Sequence, residues 1–183
     1  MSEAQEMWRE SPPYFDSLEV GDSMESSGRT VTEVDVVSFA ALTGDWHPQH
    51  ADADWAARNG FGERIAHGML VLSYALGLLP IDPRVVVALR SMDRAVLKRP
   101  VAIGDSIRAQ ARAAEKRPLS DELGMVTLGV RIVNQEDALV ARMDITVLWR
   151  REAGVDPTSN GGGAAADPGD DELSPIQDGR LLA

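Results

Sequence analysis

The chain of 183 residues has no cysteine, and this absence excludes disulfides, thiolate nucleophiles and zinc–sulfur sites. Long apolar runs are lacking as well. The longest, residues 68–79, is well short of the ~20 residues that a membrane-spanning helix needs. Residues 1–10 contain neither the basic nor the apolar region of a signal peptide. We therefore expect a soluble, cytoplasmic protein with no membrane partner.

Basic residues are also scarce, with 18 lysines and arginines against 29 aspartates and glutamates and a formal charge of −11. A nucleic-acid-binding surface would show clustered basic residues, so no nucleic-acid partner is expected. The charge is uneven, because residues 152–183 hold seven acids and one arginine, which leaves −5 for the rest. That segment also has few apolar residues to offset the cost of ordering it. It is predicted to be a disordered acidic tail, with recruitment of a basic partner as the less favoured alternative.

The length and the apolar content of 44% predict a single domain with a sizeable core. Residues 1–13 are polar and end in two prolines, and we expect a flexible leader there. The folded domain is predicted over residues 14–151, and the tail follows over residues 152–183.

Two helices are predicted on either side of a polar loop. Thr32, with Asp35 three residues later, resembles a capping box in which Asp replaces Glu. The helix that it opens is expected to run to about Leu42, and Gly44 stops it. After the loop, residues 52–59 are predicted to form a short helix.

A buried helix followed by strands completes the predicted fold. Residues 68–79 are apolar on every side of a helical projection and rich in Leu, Met and Ala, which predicts a helix buried all round and ended by Pro80. Residues 115–124 are predicted to be a polar loop. Strands are expected at residues 23–30, 84–89, 93–98, 106–114, 125–133 and 139–149. Helices followed by antiparallel strands indicate an α+β fold with the sheet wrapped around the buried helix.

The polar loop before the buried helix holds the residues best suited to chemistry. Asp45 and His50 are five residues apart across a loop containing Pro48, so both side chains can point into one small volume. A carboxyl group and an imidazole together can remove one proton and supply another, which suits reversible addition of water to a polarised double bond. Backbone N–H groups near Gly68 could stabilise a developing enolate oxygen.

The same residues have simpler interpretations. Asp45 could bond only the amides of its own loop, and His67 could only tie the start of the helix to a neighbouring carbonyl. His47 and His50, with Asp45 or Asp52, also have the residue types of a metal site. We expect no metal there, because Pro48 prevents a regular helical pair of histidines.

The run FAALTGDWHPQHADADWAARNGFGERIAHGML, residues 39–70, closely resembles the signature of the MaoC-like hydratase family, the (R)-specific enoyl-CoA hydratases. The family pattern is roughly G-D-x-N-P-x-H, a short helix, then F-x-x-x-I-x-H-G-M. The later run RAVLKRPVAIGD, residues 94–105, is similar to the strand, proline and Gly-Asp turn of the family. The resemblance covers about residues 14–150.

The resemblance implies a hotdog fold, in which an antiparallel sheet wraps a long central helix, in a homodimer or higher oligomer. It implies that Asp45 and His50 are the catalytic pair, which activates the water added at C3 and supplies the proton at C2 of a trans-2-enoyl thioester. A backbone N–H at Gly68 would bind the thioester oxygen, and the adjacent His67 is a further candidate for substrate binding. His47 departs from the pattern, which usually has Asn there; a histidine can still donate a hydrogen bond and brace the loop. No metal or redox cofactor is implied.

The implied activity is hydration of enoyl thioesters, or the reverse dehydration, with coenzyme A or acyl carrier protein as the carrier. The acyl chain is expected to run along the apolar helix and the strand near residues 94–98. Arg90, Arg94, Lys98 and Arg99 could meet the phosphates of the carrier, although charged faces are usually only solvated. The alternatives are a non-catalytic hotdog subunit, in a heteromer or as an acyl-thioester binder, and an acyl thioesterase.

Overall fold

The computed structural model describes residues 13–152 and the backbone of residues 176–177 and 180–181. The rest of the predicted leader and tail lies outside the described residues. Four helices precede the long strands: α1 (Glu33–Thr43), α2 (Pro48–Ala51), α3 (Ala53–Arg58) and α4 (Gly68–Leu78). The strands are β1 (Ser23–Glu25), β2 (Arg29–Thr30), β3 (Val86–Leu97), β4 (Ser106–Pro118), β5 (Leu123–Val133), β6 (Leu139–Arg150), β7 (Ile176–Gln177) and β8 (Arg180–Leu181).

The first six strands, β1 to β6, belong to one antiparallel sheet. Its order is β1-β4-β5-β6-β3, with β2 also pairing with β4, while β7 and β8 pair separately with each other. Strands alternate between a buried and a more exposed face, most clearly in β4, where Ile107, Ala109, Ala111 and Ala113 are buried. One face of the sheet therefore covers the core and the other faces outward. This confirms the predicted α+β class.

Helix α4 lies against β4 at the centre of the core. Its buried side chains are Leu70, Val71, Leu72 and Ala75. Leu79 ends the helix in an extended conformation, because the ring of a following proline disfavours the helical region for the residue before it. The prediction of a central helix wrapped by an antiparallel sheet is confirmed. Among the described residues, none of the helices combines the length and the apolar character needed to cross a membrane.

The structure also differs locally from the predicted elements. Residues 23–30 form two short strands rather than one, and residues 84–98 contribute one strand, β3, with three register shifts. Strand β4 continues to Pro118, inside the predicted polar loop, because its backbone pairs with β5 as far as Gly124. Polar side chains do not prevent this, since they lie on the outward face while the backbone ladder continues.

Helix α1 begins as predicted. The Thr32 hydroxyl accepts a bond from the Asp35 N–H, and the Asp35 carboxylate accepts one from the Thr32 N–H, which completes the capping box. Gly44 ends the helix with φ of 79°, a left-handed conformation that glycine adopts without steric cost. This reversal directs the chain into the segment that carries Asp45.

Candidate active site

His50 is the best-defined side chain of the site. It belongs to the short helix α2, not to a loop as predicted, since Pro48 occupies the first helical turn, where a missing N–H costs nothing. His50 is buried, and its Nδ1 lies 2.7 Å from the Ile65 carbonyl oxygen. A carbonyl can only accept, so Nδ1 carries the proton and Nε2 presents a lone pair. The Gln49 side-chain amide lies 3.0 Å from Nε2.

The protonation of His50 follows from its surroundings. Burial is the largest influence and lowers the pKa of His50, and the charges of His67 and His47 lower it further. The hydrogen bond to Ile65 and the Asp45 carboxylate act in the opposite direction but do not overcome this. Near neutral pH the imidazole is therefore uncharged, which is the form that can accept a proton.

Asp45 is exposed and directly follows the turn at Gly44. Its carboxylate accepts a bond of 3.2 Å from the His47 N–H, which is the local bonding that the simpler interpretation anticipated. The carboxylate nevertheless lies beside the two buried histidines, because one ligand atom each from Asp45, His50 and His67 falls within 4.8 Å of the others. The local bond and the approach to His50 thus occur together.

His67 links the start of the central helix to the loop. Its Nε2 lies 3.0 Å from the Asp45 backbone oxygen, and its ring stacks on that of His50 with centroids 3.7 Å apart. Because the carbonyl accepts, the proton is on Nε2, which leaves Nδ1 as an acceptor. That buried Nδ1 has no hydrogen-bond partner among the described residues.

His47 lies at the N-terminus of α2, where its Nδ1 accepts a bond of 3.3 Å from the Gln49 N–H. Its ring meets Trp55 edge-on at 5.2 Å. Of the metal ligands considered from sequence, the structure brings Asp45 and His50 together, with His67 as the third member in place of His47 or Asp52. The residues that could bind a metal ion here are Asp45, His50 and His67.

A cleft of about 270 Å³ opens beside His50. Its walls come from the start of α4 and from neighbouring segments of β3 and β6, and they include Gly68, Val71, Leu97, Val140 and Ala141. Gly68 is the first residue of α4, so its N–H has no partner within the helix. Leu97 crosses directly over it, since a Cβ on Gly68 would lie 2.2 Å from the Leu97 Cδ1. Only glycine fits there without displacing Leu97.

Part of the lining of the cleft beside His50 agrees with the prediction from sequence. Residues 94–98 were expected near the acyl chain, and Leu97 and Lys98 do line the cleft, together with Arg99. Arg90 and Arg94 are not among the lining residues. The Ile65 carbonyl, Gln49 and the β6 residues were missed. Gln49 adjoins His50 in the sequence and could have been noticed, whereas the β6 residues reach the cleft only through strand pairing.

Known proteins are similar to the part of the chain that contains this site. A family model described as MaoC like domain matches residues 17–136. The (R)-specific enoyl-CoA hydratase of Aeromonas caviae is 34% identical over 131 residues, which cover 72% of this chain and 95% of that protein. Protein MaoC of Klebsiella aerogenes is 38% identical over 104 residues, 56% of this chain but only 31% of that protein.

Solved structures agree with these sequence matches. The crystal structure of a monoamine oxidase regulatory protein from Archaeoglobus is 39% identical and superposes with a TM-score of 0.72. The match covers 77% of this chain and 96% of that one. The chain thus spans nearly all of two of these relatives but less than a third of the Klebsiella aerogenes protein.

Proposed function

The chain belongs to the MaoC-like domain family, and on that premise we propose that it adds water reversibly to trans-2-enoyl thioesters, giving (R)-3-hydroxyacyl thioesters. Dehydration is part of the same proposal, because stabilising one transition state accelerates both directions. One observation carries it: a buried, neutral imidazole whose Nε2 is the proton-accepting nitrogen lies beside the Asp45 carboxylate at an apolar cleft.

Asp45 and His50 are the proposed catalytic residues. A water held between them gives one proton to the His50 Nε2 while its oxygen bonds to C3 of the substrate. The C2–C3 electron pair moves toward the thioester and forms an enolate, and the imidazolium then gives the proton to C2. One water has been added and the enzyme is unchanged. The Asp45 carboxylate accepts a hydrogen bond from the second O–H of the water, whose hydrogen stays on the oxygen, and its charge favours the imidazolium.

The Gly68 N–H is the proposed donor to the enolate oxygen. The start of α4 supports this role, because its first N–H groups lack helical partners and carry the positive end of the helix dipole. Loss of one such donor costs roughly 10²–10³ in rate in other enzymes. His67 would position Asp45 through its backbone carbonyl, and His47 would brace α2 through the Gln49 N–H.

The proposed substrate is an acyl thioester whose chain lies against Val71, Leu97 and Val140. Lys98 and Arg99 lie at the same cleft and are exposed, so they are placed to meet an anionic carrier such as coenzyme A or acyl carrier protein. The proposed reaction needs no metal or redox cofactor, because proton transfer through His50, assisted by the Asp45 carboxylate, accounts for all of its steps.

We also propose that the chain forms a homodimer through β3. This strand of twelve residues is the last in the sheet order, so one of its edges has no partner strand among the described residues. A long unpaired edge is a ready template for pairing with another chain. Light scattering on the purified protein should give twice the chain mass; a monomeric mass would contradict the pairing.

The test of the function is loss of enone absorbance when the protein meets trans-2-enoyl-CoA of short and medium chain length. Chiral analysis should identify the (R)-3-hydroxyacyl product, and the His50→Ala variant should lose the activity while keeping its circular dichroism spectrum. Release of free coenzyme A thiol without hydration would replace the proposal with thioester hydrolysis. A folded protein that binds enoyl-CoA but never turns it over would indicate a non-catalytic subunit.

A further inference from the structure

A second cavity, of about 690 Å³, lies on the outward face of the sheet. Four arginines line it, and we call it the arginine pocket: Arg94 on β3, Arg112 on β4, Arg131 on β5 and Arg142 on β6. Arg112, Arg131 and Arg142 lie on the opposite face from the core, because their strand neighbours Ala111, Val130, Ile132, Ala141 and Met143 are buried. Arg94 reaches the same face through its ion pair with Asp144. The pocket is therefore separate from the cleft beside His50.

Three of these arginines have no carboxylate partner in the described part of the chain. Arg94 pairs with Asp144, the one acidic residue of the pocket lining. Arg112 donates to the Gly21 carbonyl at 3.2 Å, and Arg131 donates to the Gln110 side chain at 3.2 Å. Within residues 13–152, no Asp or Glu lies at ion-pair distance from Arg112, Arg131 or Arg142. The pocket is thus locally cationic in a chain whose formal charge is −11.

The strand register increases the repulsion among these charges. Arg131 is directly opposite Arg142 across the β5–β6 pair, and Arg112 is opposite Gly129 on the neighbouring ladder. Like charges directly opposite one another destabilise a sheet. An anion between the two guanidinium groups would convert this repulsion into attraction.

Gly129 forms the floor of the arginine pocket. A Cβ built there would meet only the Asp144 side chain, at 3.7 Å, so the glycine leaves open space between the arginines. Glycine inside a strand often marks a place where a ligand approaches the backbone. The volume also lies in the range of small-molecule sites, roughly 300–1,000 Å³.

We propose that the arginine pocket binds a phosphorylated small molecule through its phosphate oxygens. Guanidinium groups bind phosphate in a bidentate manner and retain their charge at every physiological pH. The phosphate belongs either to the carrier of the substrate or to a separate effector. Binding itself does not depend on the proposed function; only the first of these two sources does.

Calorimetric titration of the full-length protein with inorganic pyrophosphate and with adenosine 3′,5′-bisphosphate tests the site. The double variant Arg131→Gln/Arg142→Gln should bind the better of the two probes at least roughly tenfold more weakly. The control Arg58→Gln/Arg150→Gln removes the same charge from exposed positions outside the pocket and should bind like the wild type. Failure of the wild type to bind either probe, or an equal loss in the control, would overturn the proposal.

A second pair of variants, at Gly129, tests the site even if the double arginine variant does not fold. Gly129→Glu should place a carboxylate among the arginines and abolish binding of the probe, whereas Gly129→Ala should retain it, because a Cβ fits there. Retained binding in a folded Gly129→Glu variant would contradict the site as strongly as a failed titration.

Steady-state kinetics then separates the two sources of phosphate. If the carrier occupies the pocket, Arg131→Gln/Arg142→Gln should raise the KM for crotonyl-CoA and leave that for crotonyl-pantetheine unchanged. If a separate effector occupies it, the probe should bind while both KM values stay at their wild-type levels. Absence of any hydration would refute only the proposed function, since the titration reports binding without turnover.

Discussion

Two polar clusters of this protein differ in how completely their hydrogen-bonding groups are used. In the site cluster the His67 Nδ1 has no partner in the described structure, and the Asp45 carboxylate is exposed. In the second cluster, Arg151 and Asp16 are 3% and 8% exposed and are joined by bonds of 2.6 and 3.0 Å. We call this second pair the terminal clamp, because it joins the two ends of residues 13–152.

The terminal clamp also satisfies the groups around it. The second carboxylate oxygen of Asp16 accepts the Glu152 N–H at 3.1 Å, and Arg151 reaches the Ser120 carbonyl. A buried ion pair with all its groups bonded holds structure, since removing one partner leaves an uncompensated charge. A cluster that keeps acceptors free beside His50 can instead bond a reacting water. The difference predicts that the two clusters respond to substitution in opposite ways.

The largest expected effect is on the rate, from Asp45→Asn. This substitution keeps the shape and the bond from the His47 N–H but removes the charge, so turnover should fall by about 10²–10⁴. The thermal midpoint should change little, because the side chain is exposed. Initial rates and thermal melts on the same preparation measure both.

Asp54→Asn is the matched control for Asp45→Asn. It removes a charge from an exposed residue of the next helix, α3, and should leave both rate and midpoint near wild-type values. Wild-type turnover in Asp45→Asn would remove the carboxylate from the mechanism.

The second effect is on stability, from Asp16→Ala. Arg151 would remain buried without its partner, which costs about 3–5 kcal/mol of unfolding free energy in comparable pairs. The rate per folded molecule should not change. Urea unfolding compares it with Asp137→Asn, which removes the charge from an exposed pair with Arg108, keeps a residue that tolerates the φ of 62° at this position, and should cost at most about 1 kcal/mol. Equal losses would show that the terminal clamp is no stronger than a surface pair.

The sequence predicts features that depend on nearby residues. The capping box of Thr32 and Asp35, the turn at Gly44 and the central helix before Pro80 each follow from a few adjacent side chains, and each was predicted correctly. Asp45 and His50 were also selected from a short segment, because their residue types and the surrounding motif suffice.

Features that depend on pairing between distant strands were not predictable in this way. The approach of Leu97 to Gly68 and the place of Val140 in the cleft arise from the ladder between β3 and β6. The terminal clamp joins residues 135 positions apart. A short helix at Pro48 was missed for another reason: proline breaks helices in their interior but is favoured in the first turn.

A third effect concerns acid stability and Asp35. Burial raises the pKa of Asp35, but hydrogen bonds from Tyr74 and Thr32 and the charge of Arg29 outweigh it and lower the pKa to about 2. Because the pKa is lower in the folded state, the ionised Asp35 carboxylate stabilises the fold at pH values above 3.8, the pKa of the unfolded state. This contribution is lost as the pH falls toward about 2, the pKa of the folded state.

Asp35→Asn should therefore be less stable than the wild type by about 1–2 kcal/mol above pH 4, since it loses charge and part of the capping box. The two proteins should converge near pH 2. Urea midpoints measured from pH 2 to pH 7 give this comparison. A constant difference across that range would mean that the Asp35 charge does not contribute.

The smallest expected effect is a shift in the pH dependence of the site. Because burial lowers the pKa of His50, the neutral base persists below pH 6.5, and the acid limb of kcat/KM should lie under that value. The charge of His47 lowers this pKa and that of Asp45 raises it. His47→Asn should thus move the limb to higher pH, while Asp45→Asn should move the titration of His50 to lower pH.

The two shifts are small, but their opposite signs distinguish electrostatics from general damage to the site. For His47→Asn, the pH dependence of kcat/KM measures the shift. The Asp45→Asn variant turns over too slowly for this, so NMR titration of the His50 imidazole measures the shift there. Shifts of the same sign would mean that both substitutions alter burial, which is the largest influence on His50, rather than charge. Asp16→Ala in the terminal clamp is the control, because it leaves every group around His50 in place. The acid limb of kcat/KM should stay at its wild-type pH in this variant.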